Sequence, residues 1–113
     1  MAAMAVDPGA ARFTPAADGS SVIEAAGEVD VATSPSLAAA LDAMIGSGAT
    51  NIVVDMAQVT FIDSSGLRTL VGALKQAQAT NATLTLRNLS TAVRRVFEIT
   101  DLLETFGAAA TPS

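Results

Sequence analysis

The sequence predicts an α/β domain: a small mixed β-sheet with an N-terminal antiparallel hairpin and helices mainly on one face. Two short β-prone runs near the start are separated by the turn pair Asp18-Gly19. Three later segments carry apolar residues at helical spacing, each behind a residue suited to cap a helix. Between those segments lie β-rich runs. Strands joined through helices are normally parallel with right-handed crossovers, whereas the opening hairpin is antiparallel, so the sheet is mixed. A sheet this small carries its helices mainly on one side.

In chain order, Arg12-Phe13-Thr14 reads as a short edge strand ended by Pro15, and Ser21 to Ala26 as its partner. Gly27-Glu28-Val29-Asp30 then leaves the strand. Ser34 caps the first helix with Pro35 at its first helical position, and Leu37, Ala40, Leu41, Met44 and Ile45 form its buried side. Gly46 and Gly48 end it. Ile52-Val53-Val54 reads as a strand, and Asp55 to Ile62 as a connection. A second helix begins near Ser64, burying Leu67, Leu70, Val71, Leu74 and Ala77. Thr83 to Arg87 alternates as a strand. Ser90 caps a third helix that buries Val93, Val96 and Phe97, with Arg94, Arg95 and Glu98 in water. Asp101 starts one more short turn that brings Leu102, Leu103 and Phe106 to the core. A single domain is expected over residues 10–107, with flexible tails at 1–9 and 108–113.

Composition narrows the function. The 113 residues include no Cys and no His. That removes disulfides and thiolate chemistry, and with them the usual acid–base and transition-metal ligands. No metal or cofactor is expected. The formal charge is −5, and the six basic residues, Arg12, Arg68, Lys75, Arg87, Arg94 and Arg95, form no cluster able to neutralise a run of phosphates. Neither nucleic acid nor an anionic membrane is therefore an expected partner. No apolar run reaches the length of a membrane span, and the first residues lack the basic start of a signal peptide. The expected location is the cytoplasm.

The informative stretch is Val59-Thr60-Phe61-Ile62-Asp63-Ser64-Ser65-Gly66-Leu67. An apolar run meets a carboxylate, two hydroxyls and a glycine, and an amphipathic helix follows. Local chemistry leaves two readings open. In one, Asp63 is only an N-cap and Ser64 and Ser65 only first-turn residues. In the other, a first-turn serine accepts a phosphate, which the partial positive charge of a helix N-terminus tolerates. Gly66 then leaves the backbone open to a partner's active site. Asp30 is either a turn residue or a group that orients the Ser64 hydroxyl or touches a partner. Thr33 is a cap or turn residue, or a partner contact. Arg68, four residues after Ser64, is either a solvated cation or a partner contact on the same helix face.

Phe61-Ile62-Asp63-Ser64-Ser65-Gly66-Leu67 resembles the signature of the STAS domain, most closely that of the bacterial anti-sigma factor antagonists. Gly27-Glu28-Val29-Asp30 is similar to an earlier motif of that family, and Ser90 to Phe97 to its late helix. The element order agrees over about residues 10–106. The Ala-rich composition departs from the family pattern and bears on core packing. The resemblance implies a protein that, unphosphorylated, binds an anti-sigma factor with serine kinase activity. The kinase phosphorylates it, it lets go, and a phosphatase resets it. The hydroxyl directly after the Asp, Ser64, is the implied phosphoacceptor, with Ser65 as the fallback. Asp30, Thr33, Asp63, Ser65, Gly66 and Arg68 are the expected partner-binding residues around it.

Two other classes stand beside this one. A STAS-like accessory subunit of a transport or signalling complex shares the fold without phosphorylation switching. An enzyme is not expected, because the sequence has no Gly-x-x-x-x-Gly-Lys loop, no metal-ligand cluster and no nucleophile paired with His.

Overall fold

The computed structural model describes residues 11–100 and 110–112. Strands β1 (Arg12–Pro15) and β2 (Val22–Val29) form the hairpin. Helix α1 (Ser34–Gly46), strand β3 (Asn51–Ile62), helix α2 (Ser64–Ala79), strand β4 (Thr83–Leu89), helix α3 (Thr91–Ile99) and strand β5 (Ala110–Pro112) follow. The sheet order is β1-β2-β3-β4-β5, with β1 antiparallel to β2 and the other pairs parallel. Because the order advances one way across the sheet, right-handed crossovers put successive helices on the same face. The predicted mixed sheet with helices on one face is the observed architecture.

Alternation within the strands decides which face is buried. Ile23, Val54 and Leu86 lie side by side across β2, β3 and β4, and all three are buried. The helices cover them with Leu37, Leu41, Leu70, Leu74, Val93 and Phe97, all in one continuous core. The neighbouring row, Glu24, Asp55 and Arg87, turns to the uncovered face.

The structure changes four sequence expectations. Residues 55–62 are not a connection: β3 runs unbroken from Asn51 to Ile62. Its buried residues fall at Ile52, Val54 and Met56, then at Val59 and Ile62, so the spacing changes from two to three. Register shifts explain the change. Between Glu24 and Ala26, and again between Gly27 and Glu28, β3 advances one residue more than β2. These bulges break the alternation that marks a strand in the sequence. Strand β2 likewise continues to Val29, with Gly27 at the bulge at φ +89°, a conformation that favours glycine.

The cap of α1 moves by one residue. Thr33 holds the N-cap position, and Ser34 is the first helical residue and is buried. The Asp30 carbonyl already accepts hydrogen bonds from Thr33 N and Ser34 N, so the backbone coils before Ser34. Residues 110–112, expected in a tail, pair in parallel with β4 as the fifth strand. The expected tail at 1–9 and the short turn at Asp101 with Leu102, Leu103 and Phe106 lie outside the described residues. Cap Ser90 is as predicted: its Oγ accepts from Val93 N at 3.2 Å.

On the uncovered face Asp55 joins β3 to β4. Its carboxylate accepts from Ala57 N at 3.0 Å, Asn88 Nδ2 at 3.2 Å and Arg87 at 3.2 Å. Burial pushes this carboxyl up, but the hydrogen bonds from Ala57, Asn88 and Arg87 outweigh it and hold the group below its ordinary value. A carboxyl lowered in the folded state adds stability above its unfolded pKa and loses that contribution as pH falls through the folded one. Asp55→Asn should therefore cost about 1 kcal/mol near neutral pH. Urea unfolding of parent and variant should show a constant gap at neutral pH that narrows once the pH drops below 3.8, the ordinary carboxyl value.

Candidate functional site

The ends of β2 and β3 meet where Asp63 N donates to Val29 O at 3.1 Å. Asp30 directly follows one strand, and Asp63 and Ser64 directly follow the other. Two elements that are distant in sequence are thus tied together at one end of the sheet.

Asp63 is the N-cap of α2, in extended conformation. Its Oδ1 accepts from Ser65 N at 2.9 Å and Gly66 N at 3.3 Å, while its carbonyl accepts from Leu67 N at 3.0 Å. One residue thereby satisfies three amides that begin the helix. Ile62 before the cap and Leu67 in the first turn are both buried, the arrangement of a hydrophobic staple. Ser64 occupies the first helical position and is exposed, and its hydroxyl has no hydrogen-bond partner among the described residues. Ser65 is half-buried. Its carbonyl accepts from Thr69 Oγ1 at 3.0 Å.

Gly66 has a different part from the one the sequence suggests. It is buried and faces the sheet, so it does not open a path to the hydroxyls. A Cβ at Gly66 would lie 2.7 Å from Ile62 Cγ1 and 2.7 Å from Val29 Cγ1. Both neighbours are β-branched and stiff at χ1. The missing side chain lets α2 start directly against the ends of β2 and β3. It places Ser64 without touching a visitor.

Asp30 and Thr33 form the β2–α1 turn. Asp30 Oδ1 accepts from Ala32 N and Thr33 N, each at 3.0 Å. Thr33 Oγ1 donates to Glu28 O at 2.8 Å and accepts from Asp30 N at 2.9 Å. Asp30 is therefore a turn residue, and among the described residues it makes no hydrogen bond to Ser64. Arg68 is exposed on α2, with no ion pair among the described residues.

Sequence reasoning missed an apolar component. Val31 in the turn is 74% exposed, and Phe61 near the end of β3 is 48% exposed. Their signal was faint. Val31 is a single large apolar residue in a short turn, and the bulges decide that Phe61 faces away from the helices while Ile62 faces them. A cleft of about 430 Å³ lies elsewhere, lined by Arg12, Thr14, Glu24, Asp55 and Gln58 among others, with none of the Ser64 surroundings in its wall.

The family model for the Mlab, STAS domain matches residues 13–105, from within β1 to beyond α3. The chain belongs to the STAS domain family. This STAS domain is 36% identical over 80 residues to an anti-sigma-B factor antagonist of Staphylococcus aureus, which covers 71% of this chain and 74% of the relative. Its fold matches the crystal structure of an anti-sigma factor antagonist from Mycobacterium paratuberculosis with a TM-score of 0.80 and 27% identity, over 95% of this chain and 90% of that one. The anti-sigma factor antagonist SpoIIAA in its unphosphorylated form gives a TM-score of 0.73 at 25% identity, over 92% and 88% of the two chains. The phosphorylated form of SpoIIAA from Bacillus shares the fold, with a TM-score of 0.67 at 24% identity, over 90% and 91%. These relatives of the STAS domain are named anti-sigma factor antagonists. No helix among the described residues is long and apolar enough to cross a membrane.

The two glycines of α2 give a paired test of the packing. Gly66→Ala forces overlap with Ile62 and Val29, and overpacking costs about 1–3 kcal/mol. That exceeds the helical gain of about 0.5–1 kcal/mol from replacing glycine. Gly72, in the same helix, has nothing within 4 Å of a built Cβ. Urea denaturation should find Gly66→Ala less stable than the parent and Gly72→Ala more stable by about 0.5–1 kcal/mol.

Proposed function

We propose that the chain is an anti-sigma factor antagonist that binds an anti-sigma factor with serine kinase activity and releases it when Ser64 is phosphorylated. The observation that carries this reading is the state of Ser64. Its hydroxyl is exposed and without a hydrogen-bond partner among the described residues, while the amides around it are held by Asp63. A kinase can reach the oxygen without pulling the helix apart. The half-buried Ser65 is the poorer acceptor. The name of the relative SpoIIAA, found in unphosphorylated and phosphorylated forms, supports the same reading.

The partner supplies ATP, metal and catalytic base. The Ser64 Oγ attacks the γ-phosphorus, the bond to ADP breaks, and the hydroxyl proton passes to the kinase. The phosphoserine brings about −1.5 to −2 charges at neutral pH. It arrives beside Asp63 and near the Asp30 turn. Residues 13–67 contain no Lys or Arg. At an interface that excludes water, such a charge facing the partner is costly, and each tenfold loss of affinity requires only about 1.4 kcal/mol. Val31 and Phe61 supply apolar contact area, and Asp30, Thr33, Asp63, Ser65 and Arg68 form the polar surround. A phosphatase closes the cycle by removing the phosphate. The cycle belongs in the cytoplasm and needs no cofactor in this chain, which is a binding protein and not an enzyme.

The test is mass spectrometry of the chain after incubation with its anti-sigma kinase and ATP, alongside binding measurements. One phosphate on Ser64 and at least tenfold weaker binding of the modified chain are expected, with Ser64→Ala bound whether or not ATP is present. If the captured partner never modifies Ser64, and Ser64→Ala behaves like the parent, the chain is an unswitched accessory subunit instead.

A further inference from the structure

We propose that Arg68 is the internal receptor for a phosphate on Ser64, gripping it across one turn of α2. The inference rests on reading Ser64 as the phosphoacceptor and adds how the modified side chain is held.

Ser64 and Arg68 are four residues apart on the same helix, and both are exposed. Residues at that spacing stand about 5–6 Å apart at Cβ, and an acid placed N-terminal to a base is the favourable order. Arg68 has no competing carboxylate: the ion pairs among the described residues are Arg87 with Asp55 and Arg94 with Glu98. Its guanidinium is planar, always charged and suited to bidentate contact with phosphate oxygens.

Apart from the N–H of Ser64 itself, the amides of this helix start are already engaged. Ser65 N and Gly66 N donate to Asp63 Oδ1, and Leu67 N donates to Asp63 O. A phosphate could take these amides only by displacing the Asp63 carboxylate. The β2–α1 turn and α1 contain no Lys or Arg, and the nearest preceding base in the sequence is Arg12. Arg68 is thus the base that the fold brings within one helical turn of Ser64. Capture has a consequence for the switch. In the unmodified chain the guanidinium is open to a partner's carboxylates, and in the phosphorylated chain it is engaged at home.

The test does not depend on any kinase. Phosphoserine is installed at position 64 by nonsense-codon suppression, and the second ionisation of its phosphate is followed by phosphorus NMR in three chains: parent, Arg68→Gln and Arg68→Lys. A cation held against the phosphate favours the dianion and lowers its pKa. The parent should titrate at least about 0.3 unit below Arg68→Gln, with Arg68→Lys between them. A smaller gap between parent and Arg68→Gln, or one of opposite sign, overturns the assignment of Arg68. That outcome leaves the phosphoacceptor reading standing, because the reading is tested separately by the kinase reaction. Absence of kinase modification, with the gap intact, would sink the reading and not the geometry.

Discussion

The Asp63 carboxylate holds the site together. Its oxygen stops the amides of Ser65 and Gly66 from going unpaired, and the backbone N–H of the same residue closes the end of β3 onto the end of β2. Replacing such a cap by alanine typically costs about 1 kcal/mol. Here the geometric consequence matters more. With the cap in place the first turn of α2 has one fixed position, and the side chain immediately after the cap has nowhere to point but outward. Exposure of Ser64 follows from the capping of its neighbours.

The rest of the fold serves that arrangement. The bulges of β3 carry the strand to Ile62 in a phase that buries Ile62 and turns Phe61 outward. Gly27 permits the second bulge, and Gly66 permits the close approach of helix to sheet. The Asp30–Thr33 turn brings the start of α1 alongside. This end of the sheet therefore carries an exposed serine, two exposed apolar side chains and an exposed arginine, in a strongly acidic part of the chain. A phosphate on the proposed acceptor would add about −1.5 to −2 charges to this already acidic region.

Much of this was legible in the sequence, for identifiable reasons. The apolar stripe Leu67, Leu70, Leu74 and Ala77, and the cap residues Asp63 and Ser90, announce α2 and α3 because each is a local pattern. Local order fails where a nonlocal partner sets the geometry. The length of β3 was hidden because its bulges exist only in relation to β2, so the three-residue spacing from Met56 to Val59 to Ile62 imitates a connection. The inward face of Gly66 was hidden for the same reason, since Val29 lies 37 positions earlier in the chain. Strand β5 pairs through backbone groups that have no sequence signature. The cap of α1 was misplaced by one residue because Ser34-Pro35 is a good start signal, whereas the carbonyl of Asp30 had already begun the coil.

The most direct test of this account compares backbone amide NMR spectra of the chain with serine and with phosphoserine at position 64. A rigid frame with a modifiable side chain predicts shifts confined to residues 28–34 and 61–69, with unchanged exchange protection of the Ser65 and Gly66 amides and an undisturbed β4 and α3. Shifts spread through β4 and α3, or loss of protection at those two amides, would contradict it, because the phosphate would then be acting by displacing the Asp63 cap and reorganising the fold.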